Sequence, residues 1–209
     1  SAEAAGANGL LLAPVSYQPL TDDEVFELFR TVAESTELPI VVYDNPGTTH
    51  FTFTTELYAR LAALDGVASI KIPGHPLSPA GWDERIGEIR AAVGNEVTIG
   101  ISGDAFGADG LIAGCDAWYT AVGGTMPEPM LEITRAAELG NAEQARELSA
   151  ELQPLWDLFA EFGGSLRVTA AIAEHLGLIG SDSLPLPVRG LDEAAKRKVA
   201  EVVESLELD

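Results

Sequence analysis

An α/β fold of parallel βαβ units is the fold class this sequence predicts, on three observations. Five short apolar runs alternate with stretches of helical periodicity, at even spacing and with no linker between units. Strands of about five residues separated by helices of about ten to fifteen are the building block of a parallel sheet. The residues with chemical potential, Tyr17, Tyr43, Lys71, Ser102 and Asp104, fall at or just past the C-terminal ends of these apolar runs, the edge at which barrel enzymes keep their sites.

Each element follows in order. Ser1 to Gly6 reads as a helix end closed by glycine, so the chain is expected to begin inside an element. Gly9 to Val15 is a nearly continuous apolar run, the pattern of a strand buried on both faces. Thr21-Asp22-Asp23-Glu24 is a capping box, after which Val25, Leu28, Phe29 and Val32 recur at helical spacing. Pro39 to Tyr43 is the second strand and runs into a predicted turn, Asp44-Asn45-Pro46-Gly47. Leu57, Leu61 and Leu64 mark a helix after Thr54. Val67 to Lys71 is the third strand, Trp82 to Val93 a helix, and Val97 to Ile101 the fourth strand. A short helix over 106–113 and a fifth strand over 117–122 follow. Pro127 then opens a helix that Gly140 stops. Beyond it the pattern is helical only: one long stretch from Asn141 to Gly163, another from Val168 to Leu178, and a last helix from Asp192.

Composition narrows the function classes. The chain has 209 residues, with 12 basic and 33 acidic side chains for a formal net charge of −21. That charge argues against nucleic acid or an anionic membrane as partner. No apolar run approaches transmembrane length. Cys115 is the single cysteine, so no internal disulfide can form, which fits a reducing cytoplasm. His50, His75 and His175 show no metal-ligand spacing, and no cofactor is expected. His75 reads as a surface-loop residue, His175 as structural, and the Trp156-Phe159-Phe162 stripe as helix core or a subunit contact.

Lys71 is the only lysine in the first 195 residues and follows a short apolar run. An amine there loses hydration, finds a partner or does chemistry. Burial lowers its pKa, and the neutral amine is the nucleophile that forms a Schiff base with a carbonyl. The surrounding pattern leaves two architectures open. Five strands are too few for a closed barrel of eight. An open doubly wound sheet is usually marked by a glycine-rich loop after its first strand, and Ala13-Pro14-Val15-Ser16-Tyr17-Gln18-Pro19 has no glycine.

The motifs decide between them. Tyr43-Asp44-Asn45-Pro46-Gly47, then Ser69-Ile70-Lys71 with Lys71 28 residues beyond Tyr43 (71 − 43 = 28), resemble the Tyr-Asn-x-Pro-Gly and Gly-Ile-Lys motifs of the dihydrodipicolinate synthase / N-acetylneuraminate lyase family. Ser102-Gly103-Asp104, Gly114 to Ala117 with Pro127-Glu128, and Arg167 to Gly177 match further segments of that family in order. The resemblance implies a (β/α)8 TIM barrel of which this chain carries strands 4–8, with a partial barrel over 1–140 and a C-terminal helical domain over 141–209. The family's first three strands would lie outside the chain. It implies a Schiff-base role for Lys71 and proton relay by Tyr43, with no cofactor and no metal. It also implies a cytoplasmic homotetramer, a dimer of dimers, acting on small molecules.

Departures from the family pattern concern the second substrate. Thr48 stands where the synthases have an arginine that binds a carboxylate, and a hydroxyl cannot replace a bidentate guanidinium. Ile72-Pro73 replace Glu-Ala, and Tyr119 replaces a small aliphatic residue and would narrow the pocket. Tyr17 or Ser16 stands near the position of a tyrosine lent to a neighbouring subunit. Substrate contacts are thus expected from Thr48, Thr49, Gly103, Asp104, Tyr119 and Tyr17, although Asp104 reads equally as a helix cap. The function expected is a lyase joining or cleaving a 2-oxo acid such as pyruvate and an aldehyde. The alternatives are 4-hydroxy-tetrahydrodipicolinate synthase proper, a 2-keto-3-deoxy sugar acid aldolase or dehydratase, and a non-catalytic 2-oxo-acid-binding barrel. A metal-dependent barrel lyase is disfavoured by the lack of ligand clusters.

Overall fold

The computed structural model describes residues 2–181 and 183–208. The predicted helix end at Ser1–Gly6 therefore begins outside the described residues; its remainder is a 3-10 turn, Glu3–Ala5, closed by Gly6 at φ 85. The chain forms two compact units, Ser1–Ser102 with Asp109–Tyr119, and Gly103–Ala108 with Thr120–Asp209.

The first unit is an α/β layer. Its strands are β1 (Leu10–Leu12), β2 (Ile40–Tyr43), β3 (Val67–Pro73), β4 (Thr98–Ser102) and β5 (Ala117–Tyr119). All neighbouring pairs are parallel and the strand order is β1-β2-β3-β4-β5. A doubly wound sheet reverses its order at a switch point. A strictly sequential order is that of a barrel wall, and it removes the doubly wound alternative.

The helices of this unit are α1 (Asp22–Ala33), α2 (Pro46–Thr49), α3 (Thr55–Ala62) and α4 (Pro79–Val93), followed by α5 (Gly107–Ile112), which begins in the second unit. The capping box at α1 is realised: Thr21 Oγ1 accepts from the Glu24 N–H and Glu24 returns a carboxylate to the Thr21 N–H at 2.8 Å. Thr54, Ser78 and Thr21 each cap a helix, a contribution of about 1 kcal/mol apiece.

One face of β2, β3 and β4 is apolar and buried. Ile40, Val42, Ile70, Ile72, Ile99 and Ile101 are buried at 2 % exposure or less, and each such side chain contributes roughly 1.5–3 kcal/mol through burial. On the other face Tyr43 pairs with Lys71 and Lys71 with Gly100 across the register. Gly110 lets α5 lie against β4, because a Cβ there would come within 2.6 Å of Ile101.

Three sequence expectations are corrected. The turn at Asp44–Gly47 closes into the one-turn helix α2, because Pro46 supplies a preset first helical residue. The fifth strand stops at Tyr119, since the Thr120 hydroxyl accepts from the Val122 and Gly123 N–H groups and bends the chain away. In the second unit the long helix from Asn141 splits at Leu152 into α7 (Ala142–Glu151) and α8 (Gln153–Glu161), with Pro154 in the first turn of α8. That proline has no N–H to give and crowds the preceding turn. The second unit otherwise holds α6 (Pro127–Glu138), α9 (Ser165–His175) and α10 (Glu193–Ser205). The Trp156 indole N–H donates to Ser149 O at 2.9 Å and its ring packs 5.8 Å from that of Phe159, so Trp156 is helix core, while Phe159 and Phe162 are half-buried. No helix among the described residues is long and apolar enough to cross a membrane.

Candidate active site

Lys71 is half-buried near the end of β3, and its Nζ lies over two aromatic rings. The Tyr43 centroid is 4.9 Å away on β2 and the Tyr119 centroid 5.4 Å away on β5. Beyond its last paired residue, β2 remains tied to β3 by the Asp44 N–H, which donates to Lys71 O at 3.0 Å. On the other side the Ser102 hydroxyl donates to Ile72 O at 3.0 Å and the Gly74 N–H to Ser102 O at 2.8 Å. The lysine therefore stands in a stretch of strand fixed from both neighbours.

Tyr43 has a hydrogen-bond donor of its own. Asn45 Nδ2 donates to the Tyr43 hydroxyl at 3.0 Å, so the phenol accepts there and keeps its own proton to give. The sequence places Asn45 in the turn and in the family-like motif after Tyr43, without a contact of its own. Its position two residues after Tyr43 was the signal, because α2 turns its amide back over the strand end.

Tyr119 is held from two sides. Its hydroxyl lies 3.0 Å from Ser69 Oγ, and the Ser69 hydroxyl is 3.3 Å from Thr98 O. Its ring fills the space above Gly100: a Cβ at that glycine would stand 2.2 Å from Tyr119 Cε2. The partnership of Ser69 and Gly100 with Tyr119 was not read from the sequence. Ser69, two residues before Lys71 and on its face, was the available sign.

Asp44 faces the other way. It is 4 % exposed, and its Oδ2 accepts from the Tyr58 hydroxyl on α3, while Oδ1 has no hydrogen-bond partner. Burial pushes its carboxyl up to about 6, against the opposing pull of the Tyr58 hydrogen bond and of Arg85 and His75. Burial likewise raises the Tyr58 phenol. His75 and Arg85 line a cavity of about 70 Å³ beside Asp44.

The remaining expected contacts divide. Thr48 is exposed on α2. Thr49 is buried, its hydroxyl donating to Asn45 O at 3.0 Å, so it braces the turn that carries Asn45. Tyr17 is 98 % exposed at the rim of a cavity of about 260 Å³ that also includes Thr49 and His50. Gly103 and Asp104 belong to the second unit. Asp104 is buried, and both its carboxylate oxygens accept from the Ala121 N–H, at 3.1 and 3.2 Å. It thereby braces the chain just after β5. Burial raises the Cys115 thiol to about 12, which makes it an inert packing residue. No group of three or more His, Cys, Asp or Glu that could hold a metal occurs among the described residues.

A model of the dihydrodipicolinate synthetase family matches residues 1–206. The chain is 30% identical over 207 residues to a 4-hydroxy-tetrahydrodipicolinate synthase of Archaeoglobus fulgidus, covering 99% of this chain and 68% of that protein. Among solved structures, a dihydrodipicolinate synthase from Agrobacterium tumefaciens superposes with a TM-score of 0.89 at 45% identity, over 98% of this chain and 68% of that one. A monomeric dihydrodipicolinate synthase variant superposes at 0.87 with 27% identity, over all of this chain and 68% of that one.

Proposed function

Because the chain belongs to the dihydrodipicolinate synthetase family, a family of class I lyases, we propose that it joins or cleaves a 2-oxo acid and an aldehyde through an imine at Lys71. In this reading β1 to β5 are the fourth to eighth strands of a (β/α)8 barrel, and residues 141–209 are its helical extension. The observation that carries the function is the placing of Lys71 Nζ 4.9 Å over the ring of Tyr43 in direct strand register.

The chemistry follows from that pair. The neutral Lys71 amine attacks the 2-oxo carbon, and the resulting carbinolamine loses water to give an imine. Loss of a C3 proton from the protonated imine sends the C–H electron pair into the C–N system and leaves an enamine. The enamine carbon forms the new bond to the aldehyde carbon, whose oxygen takes up a proton. Water then restores the free lysine and releases product. Each transfer needs a group that both gives and takes a proton. The Tyr43 phenol, supplied with a hydrogen bond by Asn45, is that group.

The aldehyde is proposed to be neutral and hydroxylated. Binding a second carboxylate calls for an arginine, and Thr48 offers only a hydroxyl. The arginines on the helices of this unit are engaged elsewhere: Arg30 with Glu27 and Glu34, Arg60 with Asp23, Arg85 with Glu88, and Arg90 with Asp116. A 2-keto-3-deoxy sugar acid, cleaved or dehydrated by the same imine chemistry, fits this polarity. Borohydride reduction in the presence of pyruvate tests the core reading. A reduced three-carbon adduct on Lys71 is expected, and its absence, or its persistence after Lys71→Ala, would overturn the mechanism.

A further inference from the structure

Resting on the imine reading, we propose that Tyr119 is a positioning residue of the reaction: pinned by Ser69 and seated over Gly100, its ring is the second wall of an aromatic slot that favours the positively charged nitrogen at Lys71. Three observations carry this. Nζ lies within cation–π range of both rings, 4.9 Å from Tyr43 and 5.4 Å from Tyr119. The Ser69 hydroxyl has one proton, and Thr98 O accepts it at 3.3 Å, so the Tyr119 hydroxyl is the donor in the 3.0 Å contact with Ser69. The glycine at position 100, opposite Lys71 in the register, gives the ring its space; a Cβ there would fall 2.2 Å from it.

The two tyrosines thereby take different roles. Tyr43 accepts from Asn45 and has a proton to give. Tyr119 has committed its proton to Ser69 and offers Lys71 its ring. Among the described residues, Tyr43 on β2 and Tyr119 on β5 bring their rings to Lys71, while β4 presents Gly100 at the same level. The negative face of an aromatic ring favours a cation over the corresponding neutral group. Applied to the imine, it retains the proton that makes the nitrogen an electron sink when the C3 proton departs. Applied to the resting amine, it retains the ammonium, so the slot moves the onset of imine formation to higher pH.

The test uses the full chain and two readouts: exchange of the pyruvate methyl protons for deuterium, and the pH profile of borohydride trapping at Lys71. Tyr119→Leu removes the ring face and is expected to slow exchange by about 2- to 30-fold and to move the trapping midpoint to lower pH. Tyr119→Phe keeps the face and is expected to retain most of the exchange. If Tyr119→Leu does not fold, Ser69→Ala, which unpins the ring and leaves its bulk, moves both readouts the same way by a smaller factor. Unchanged readouts in the folded variants, or equal losses in Tyr119→Phe and Tyr119→Leu, overturn the proposal while the wild-type adduct leaves the imine intact. A wild-type protein that forms no adduct removes both.

Discussion

The Tyr58 hydroxyl donates to the Asp44 carboxylate, one residue along the chain from Tyr43. Because burial raises the Asp44 carboxyl from 3.8 to about 6, the folded chain binds this proton more tightly than the unfolded one. The sign follows: the contribution to stability is fully present below about pH 4 and is lost as pH rises through about 6. Two pKa units correspond to roughly 2–3 kcal/mol. Asp44→Asn keeps an acceptor for Tyr58 and is expected to flatten the stability profile over this range, as read by denaturant unfolding at a series of pH values. Asp44→Ala removes the acceptor of the Tyr58 proton and is expected to cost about 1–3 kcal/mol below pH 4, with the difference from wild type shrinking as pH rises through about 6. A wild-type profile without a fall between pH 4 and 6 would contradict the assignment.

Tyr43→Phe removes the relay and leaves the amine in place. Turnover is expected to drop about a hundredfold or more, with pyruvate affinity changed little and the borohydride adduct still forming on Lys71. Equal losses in affinity and turnover would mean that the ring packs and does no proton transfer.

Gly110→Ala drives a methyl group into Ile101, with contacts near 2.6 Å. Overpacking of this kind costs about 1–3 kcal/mol. The unfolding midpoint in urea should fall accordingly, and an unchanged midpoint would show that α5 can move away from β4 without loss.

Among acceptor aldehydes, those without a carboxylate are expected to be used better. A charge-assisted bidentate contact contributes roughly 1.5–3 kcal/mol, so its absence at Thr48 should reduce use of aspartate semialdehyde about ten- to hundredfold. Parallel assays with pyruvate decide the matter, and Thr48→Arg should recover part of the difference. Rapid turnover of the semialdehyde by the wild-type chain would restore the synthase reading.

Assembly is the remaining expectation. We expect a homo-oligomer, in which the exposed Tyr17 serves a neighbouring protomer. Sedimentation should give a multiple of the protomer mass. A single species of monomer mass with full activity would contradict it.

Much of this was legible because backbone patterns are local. The capping box at Thr21, the apolar runs and the prolines each act within a few residues, and Lys71 and Tyr43 stood out as polar groups at strand ends. What does not show in the sequence depends on contacts between elements. Ser69 meets Tyr119 from 50 positions away, and Asp44 meets Tyr58 from 14. Neither pair has a periodicity: the first follows from strand register and the second from how α3 packs beside the end of β2. The break at Leu152 was missed for a different reason: the apolar spacing on either side of Pro154 stays in phase, so the pattern reads through it.

The space above Gly100 constrains the order in which this wall can change. With the Tyr119 ring in place, any side chain at position 100 collides with it, so that position is open to substitution only after Tyr119 has become smaller. The reverse path begins from a glycine already present and lets an aromatic ring arrive in one step, with Ser69 then able to anchor it. A change of pocket shape beside Lys71 is therefore contingent on history, and reconstructing ancestral pairs at these two positions, glycine first or ring first, would reveal which routes keep a folded protein at every step.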